Sequence, residues 1–165
     1  MRGDNIFKGY LNLEDNDPSP FMDGWFMTGD LAKIDEDGYI SIVGRRKEII
    51  NSGAMKVLPR EVEDTCINHQ DVGEACVVPL PHPTLGEQVA AAVVRRTDRL
   101  TEKELIDHLK AQLAPFKVPS VIYFVDAIPR STAGKMMRRE VIAMIKAEME
   151  REATGYQESP LTETE

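Results

Sequence analysis

The sequence predicts an α+β protein: a small β-sheet packed by helices plus a short hairpin, preceded by a segment rich in β-hairpins. Three observations carry this. Asp37-Gly38 stands between two apolar runs, and that dipeptide favours a tight hairpin because it tolerates positive φ. Ala75 to Leu80 and Gln88 to Val94 are apolar and β-branched, as strands are. Thr101-Glu102-Lys103-Glu104 has the form of a capping box, with Leu105, Ile106, Leu109 and Leu113 following at helical spacing.

Taken in order, residues 1 to 24 read as loop, with Gly3, Gly9, Gly24, Pro18 and Pro20 among many Asp and Asn. Trp25-Phe26-Met27, Leu31 to Ile34 and Tyr39 to Val43 read as strands. Glu48 to Asn51 and Met55 to Leu58 form a second hairpin closed by Ser52-Gly53-Ala54. Pro59 suits the first turn of a helix that carries Val62, Cys66 and His69 on one face. Pro81-His82-Pro83 reads as a breaker between the two long strands. Pro115 ends the capped helix, Val121 to Val125 is a further strand, and Arg139 to about Arg151 is a last helix striped by Val141, Ile145 and Met149. The acidic end of the chain carries little apolar surface and is expected to be disordered.

Composition narrows the function. With 42% hydrophobic and 29% charged residues the 165-residue chain can pack a core, and its net charge of −8 argues against general binding to nucleic acid or anionic membranes. No apolar run approaches the ~20 residues of a transmembrane helix, and Met-Arg-Gly-Asp-Asn lacks the apolar stretch of a secretory signal. Cys66 and Cys76 read as buried free thiols in a reducing cytosol, hence a cytoplasmic location. No metal site is expected: His69, His82 and His108 fall at no ligand spacing, and Asp35-Glu36-Asp37-Gly38 lacks the further ligands of a calcium loop.

Two basic islands interrupt the acidic background: Arg45-Arg46-Lys47, and Arg130 with Lys135, Arg138 and Arg139. Such islands suit a small anion better than a polymer. In Pro129-Arg130-Ser131-Thr132-Ala133-Gly134-Lys135 the small and hydroxyl residues predict a loose loop, and Gly134 permits close backbone approach to a ligand. Lys135 can carry charge into a closing site, although by spacing alone a solvated surface lysine is the commoner reading. A Walker motif is excluded, because Pro129 stands where it needs Gly and Met136 where it needs Ser or Thr. The carboxylate of Thr28-Gly29-Asp30 can accept from two ribose hydroxyls, and Arg45 can offer a fork to a ribose or phosphate oxygen. Each is also read as an ordinary turn residue or a solvated arginine.

Together, Trp25 to Asp30, Asp37-Gly38-Tyr39, Gly44-Arg45, Ser52-Gly53, Pro59, Glu61-Val62-Glu63 and Pro129 to Lys135 recur in one order. In this the chain resembles, over roughly residues 3 to 150, the C-terminal end of the adenylate-forming acyl-CoA synthetase superfamily, which includes luciferases and peptide-synthetase adenylation domains. The resemblance implies activation of a carboxylic acid, fatty acids foremost, by ATP with Mg2+ to acyl-adenylate, then transfer to CoA. It implies that residues 1–44 are the tail of the large AMP-binding domain, 45–47 a hinge, 48–151 the mobile C-terminal domain and 152–165 a disordered acidic tail.

By the same resemblance Lys135 is the adenylation lysine, Asp30 the ribose carboxylate, Arg45 a nucleotide contact, Ile42 a residue near the adenosine and Lys47 the hinge. Ser52, Gly53 and Ala54 line the CoA tunnel, Ala54 replacing a frequent glycine. The family's Ser/Thr/Gly-rich phosphate loop and acid pocket are missing, so ATP and Mg2+ belong mainly to a missing N-terminal adenylation domain, and the fragment alone is expected to be inactive. Its unpaired strands would be disordered, dock onto the small domain, or form a swapped or packed dimer. Two further readings stay open: part of an adenylation domain that loads a carrier protein, and a non-catalytic module that binds CoA or another protein.

Overall fold

The computed structural model describes residues 1–10 and 20–154, and these divide into two compact units, Met1–Ile49 and Ile50–Glu165. The division falls after Ile49, two residues beyond Lys47. Residues 11–19, within the stretch expected to be loop, and residues 155–165 of the expected acidic tail lie outside the described residues.

Among the described residues the first unit is built from two antiparallel hairpins. Strands β1 (Phe21–Met22) and β2 (Trp25–Phe26) pair across Asp23-Gly24, both at positive φ, the geometry of a type I′ turn. Phe21 and Met22, expected as loop, are therefore paired. The Phe21 and Phe26 rings lie 5.6 Å apart, with Phe7 at 5.5 and 5.1 Å from them, so an aromatic cluster supports so short a ladder. Strands β3 (Asp30–Ile34) and β4 (Ile40–Arg45) form the expected Asp-Gly hairpin. Asp35 fastens its turn, Oδ1 accepting from the Asp37 and Tyr39 amides at 3.1 and 2.8 Å, and Gly38 takes φ 85°.

Among the described residues the second unit holds a five-stranded sheet of order β6-β5-β8-β7, with β9 parallel to β8. Strands β5 (Ile50–Ser52) and β6 (Met55–Val57) make the short hairpin, and β7 (Val72–His82) and β8 (Gly86–Arg95) the long one. Strand β9 is Val121–Phe124. Helices α1 (Pro59–Ile67) and α2 (Glu102–Gln112) cover one face, and α3 (Arg138–Thr154) covers the other. The long strands read as unbroken apolar runs because both faces are buried. Ala75, Val77, Val89, Ala91 and Val93 face α1 and α2, while Cys76, Val78, Leu80, Ala90 and Ala92 face α3.

The capping box forms as written: the Thr101 hydroxyl accepts from the Glu104 amide at 3.3 Å, and the Glu104 carboxylate accepts from the Thr101 amide at 2.9 Å. The Thr101 amide, and then the Thr101 hydroxyl donating to the same carboxylate at 2.8 Å, hold the Glu104 carboxyl below its ordinary value. Leu105 and Leu109 of this helix are fully buried, each contributing about 1.5–3 kcal/mol of burial. His69 falls beyond the end of α1, where its ring stands 5.0 Å from that of His108. On α3 Val141 and Ile145 are buried but Met149 is 38% exposed, so the apolar stripe stops a turn early. The helix runs on through Glu152, Ala153 and Thr154.

Pro81 does not break β7, which continues to His82 with Pro81 opposite Glu87. The reason is position. Strand β7 ends the sheet, and Pro79 and Pro81 share the parity of Val77, whose backbone points outward, so their missing N–H groups cost no ladder bond. The outward groups of Val77 have partners from both sides. Its N–H donates to Glu63 Oε1 at 2.8 Å, and its carbonyl accepts from Arg138 Nη1 at 2.8 Å. Glu63, 5% exposed, also pairs with the Arg138 guanidinium. One ion pair thus clasps the edge strand and joins α1 to α3.

Cys66 is fully buried beside Glu63, and burial first, then that carboxylate, push its thiol from 9.0 up to about 12. The thiol's contribution to stability is therefore complete below pH 9 and is lost as pH rises towards 12. We expect Cys66 to resist Ellman's reagent at pH 8 in the native chain and to react at once in denaturant; fast native labelling at Cys66 would refute this.

Candidate functional site

The β3–β4 register sets Asp30 opposite Arg45 and Ala32 opposite Ile42. Arg45 Nε lies 3.0 Å from Asp30 Oδ1. The guanidinium is half exposed, and pairs of this kind add at most ~1 kcal/mol to stability. Its positioning therefore matters more than its strength. The Asp30 amide donates to Thr28 Oγ1 at 3.1 Å, Gly29 takes φ 74°, and the Arg46 amide donates to the Gly29 carbonyl at 2.8 Å. These bonds shape a hollow of about 400 Å³ lined by Thr28, Gly29, Arg45, Arg46 and Lys47. Three cations beside one anchored carboxylate suit a ligand bearing both phosphate and hydroxyl groups. Lys47 sits exposed in a 3₁₀ turn, Arg46–Glu48, and Ile42 is 53% exposed on β4.

In the second unit, Ser52 ends β5 and the reversal is made by Gly53-Ala54. Gly53 takes φ 61°, and a Cβ there would stand 3.3 Å from Leu85 Cδ2. Its amide donates to the Leu85 carbonyl at 2.8 Å, so the turn is braced against the β7–β8 turn. That second turn is organised by His82, whose Nδ1 accepts from the Thr84 and Leu85 amides at 3.3 and 3.2 Å. His82 was read only as part of a breaker and Leu85 was not singled out, since the two turns become neighbours only when Ser52 pairs with Gly86.

Lys135 lies in the second unit, whereas Asp30, Arg45 and Ile42 lie in the first. Its loop, expected to be loose, is a closed hydrogen-bonded turn. Arg130 and Met136 form an isolated β-bridge, the Ser131 amide donates to the Lys135 carbonyl at 2.9 Å, and the Gly134 amide donates to the Ser131 carbonyl at 2.8 Å. The small residues permit this tight reversal, with Gly134 at φ 75°, instead of keeping it open. The Lys135 side chain is exposed and makes no ion pair among the described residues.

No cluster of His, Cys, Asp and Glu suited to a metal occurs among the described residues, and none of their helices is long and apolar enough to cross a membrane.

Residues 61–135 match the family model of the AMP-binding enzyme C-terminal domain. The chain is 39% identical over 142 residues to a protein of Humulus lupulus named probable CoA ligase CCL9, a span that is 86% of this chain and 27% of that protein. It is 38% identical over 141 residues to the long-chain-fatty-acid–CoA ligase of Yersinia pestis, covering 86% of this chain and 25% of that enzyme. Among solved structures, ATP-bound MatB from Rhodopseudomonas palustris superposes with a TM-score of 0.81 at 39% identity, over 88% of this chain and 29% of that one. The chain thus spans between a quarter and a third of the length of these relatives. It carries the AMP-binding enzyme C-terminal domain, and over most of its length it is similar to the C-terminal part of CoA ligases.

Proposed function

We infer that the chain is the C-terminal portion of a cytoplasmic, ATP-dependent acyl-CoA synthetase that activates a carboxylic acid, a fatty acid foremost, as acyl-AMP and passes it to CoA. One observation carries this reading: Lys135 is presented, exposed and unpaired among the described residues, on a turn whose backbone is fixed by hydrogen bonds. The likeness of 86% of the chain to CoA ligases favours CoA over a carrier protein as acceptor.

On this reading Asp30 accepts from the ribose hydroxyls, Arg45 holds that carboxylate and faces the nucleotide, and Ile42 packs near the adenosine. ATP supplies the adenylyl group and Mg2+ offsets its phosphate charge, both held mainly by the absent N-terminal portion. Lys135 stabilises the charge that builds between carboxylate, α-phosphate and leaving pyrophosphate. Lys47 is the hinge about which residues 48–151 turn, a reading supported by the division of the chain after Ile49. The Ser52-Gly53-Ala54 turn lines the path of the CoA arm, where a glycine without side chain leaves backbone accessible to a slender ligand.

Ile34, Tyr39 and Ile40 are 69, 72 and 67% exposed, an apolar surface that the N-terminal portion would cover. We therefore expect the chain alone to release no pyrophosphate with ATP, Mg2+ and a panel of acids, and the chain joined to that N-terminal portion to do so. Turnover by the isolated chain would overturn the division of labour proposed here.

A further inference from the structure

The turn that carries Lys135 is tethered to the sheet by a two-step clamp. Arg130 Nη1 donates to the Gly134 carbonyl at 2.9 Å, and Arg130 Nη2 pairs with Glu74 Oε2 at 2.7 Å. One guanidinium thus spans from the peptide unit that precedes Lys135 to a carboxylate on β7. That strand is the longest in the sheet and is packed by α1 and α3, so Glu74 is a fixed point. Ser131 adds a contact, its Oγ accepting from the Lys135 amide at 3.3 Å.

The electrostatics give this clamp little weight as a stabiliser. Arg130 and Glu74 are 42 and 46% exposed, and exposed pairs contribute at most ~1 kcal/mol. Geometry gives it more weight. A planar guanidinium that donates from two nitrogens to two separate acceptors fixes direction as well as distance, which a lysine ammonium cannot do. The group so fixed is the Gly134 carbonyl, one bond from the nitrogen of Lys135. Gly134, at φ 75°, sits where the backbone would otherwise pivot most freely.

We propose that Arg130, held by Glu74, is a positioning residue that sets the direction in which Lys135 enters the adenylation site. This rests on the reading of Lys135 as the adenylation lysine. Misplacing a charged group by about 1 Å costs up to about 10²-fold in rate, so the clamp acts on adenylation while leaving substrate binding alone.

The test uses the full-length ligase that carries this segment, with both half-reactions measured apart. Arg130→Ala is expected to lower kcat for adenylate formation by about 10- to 100-fold, with KM for ATP and for the acid unchanged. Thioester formation from supplied acyl-adenylate should stay at the wild-type rate. Glu74→Gln should show a smaller loss of the same kind. The double variant Arg130→Ala, Lys135→Ala should be no slower than Lys135→Ala, because the clamp acts only through that lysine. Exchanging the charges, Glu74→Arg with Arg130→Glu, restores an ion pair but leaves no donor for the Gly134 carbonyl, so adenylation should stay slow.

Full activity in the charge-exchanged variant would overturn the inference and leave the pair a merely structural contact. Wild-type adenylation by Arg130→Ala, with Lys135→Ala inactive, would overturn the inference while the reading of Lys135 stands. If Lys135→Ala is itself as fast as wild type, that reading falls and this one with it.

Discussion

Lys135→Ala in the full-length ligase is expected to lower adenylate formation by about 10²–10³-fold, the loss typical of removing one preorganised charge-stabilising donor. Thioester formation from supplied acyl-adenylate should be untouched. The asymmetry follows from the chemistry of the two steps. When the carboxylate attacks the α-phosphate, both partners and the departing pyrophosphate are negative, so a single ammonium at that locus lowers the barrier directly. When the thiol attacks the adenylate, less charge gathers there and the lysine is not needed. Lys135→Arg keeps the charge on a larger planar head and should recover only part of the rate. Pyrophosphate exchange and hydroxamate trapping read the first step, and CoA consumption reads the second. Equal losses in both would mean that the substitution damages the fold and not the adenylation site.

The largest expected effect on stability comes from Glu63→Ala, at about 3–5 kcal/mol, because it leaves a part-buried guanidinium without its carboxylate. The side chains of Glu63 and Arg138 are 7 and 24% exposed, so water compensates little. The Val77 N–H loses its acceptor at the same time, and an unsatisfied buried donor adds its own penalty. Against a domain stability of about 5–15 kcal/mol this is a large share. Glu63→Gln should cost less, since its amide oxygen can still accept from Val77. Urea unfolding checks both: the midpoint should fall at unchanged slope, further for alanine than for glutamine. A midpoint shift below that of an ordinary surface substitution would refute the clasp.

A cap and a hairpin turn, which need only neighbouring residues, were legible in the sequence, and pairings between distant residues were not. Thr101 and Glu104 need only each other, so the cap was plain from four residues. Asp37-Gly38 likewise encodes its own turn. Glu63 and Arg138 are 75 residues apart, and nothing in either neighbourhood predicts the other. Pro81 misled for a related reason: a proline breaks an inner strand but not the outer side of an edge strand, and only the sheet order tells which applies. Small residues before Lys135 suggested freedom, whereas the fold uses their size to close a turn under Arg130. Of the proposed site, Asp30, Arg45 and Lys135 were singled out by the ordered motifs. Glu74 was not, because a charge on a strand carries no mark of what it will hold.

The outer border of β7 has a consequence for the molecule in company. A bare border of this kind is a template on which a foreign strand can add, and from which fibrils can grow. Here two prolines offer no donor, and the Val77 groups between them and the rest of the strand are already engaged. The proposed turning of this domain about Lys47 would show the border to crowded neighbours with every catalytic cycle. The same clasp that joins two helices therefore also keeps the sheet from recruiting strands of other proteins.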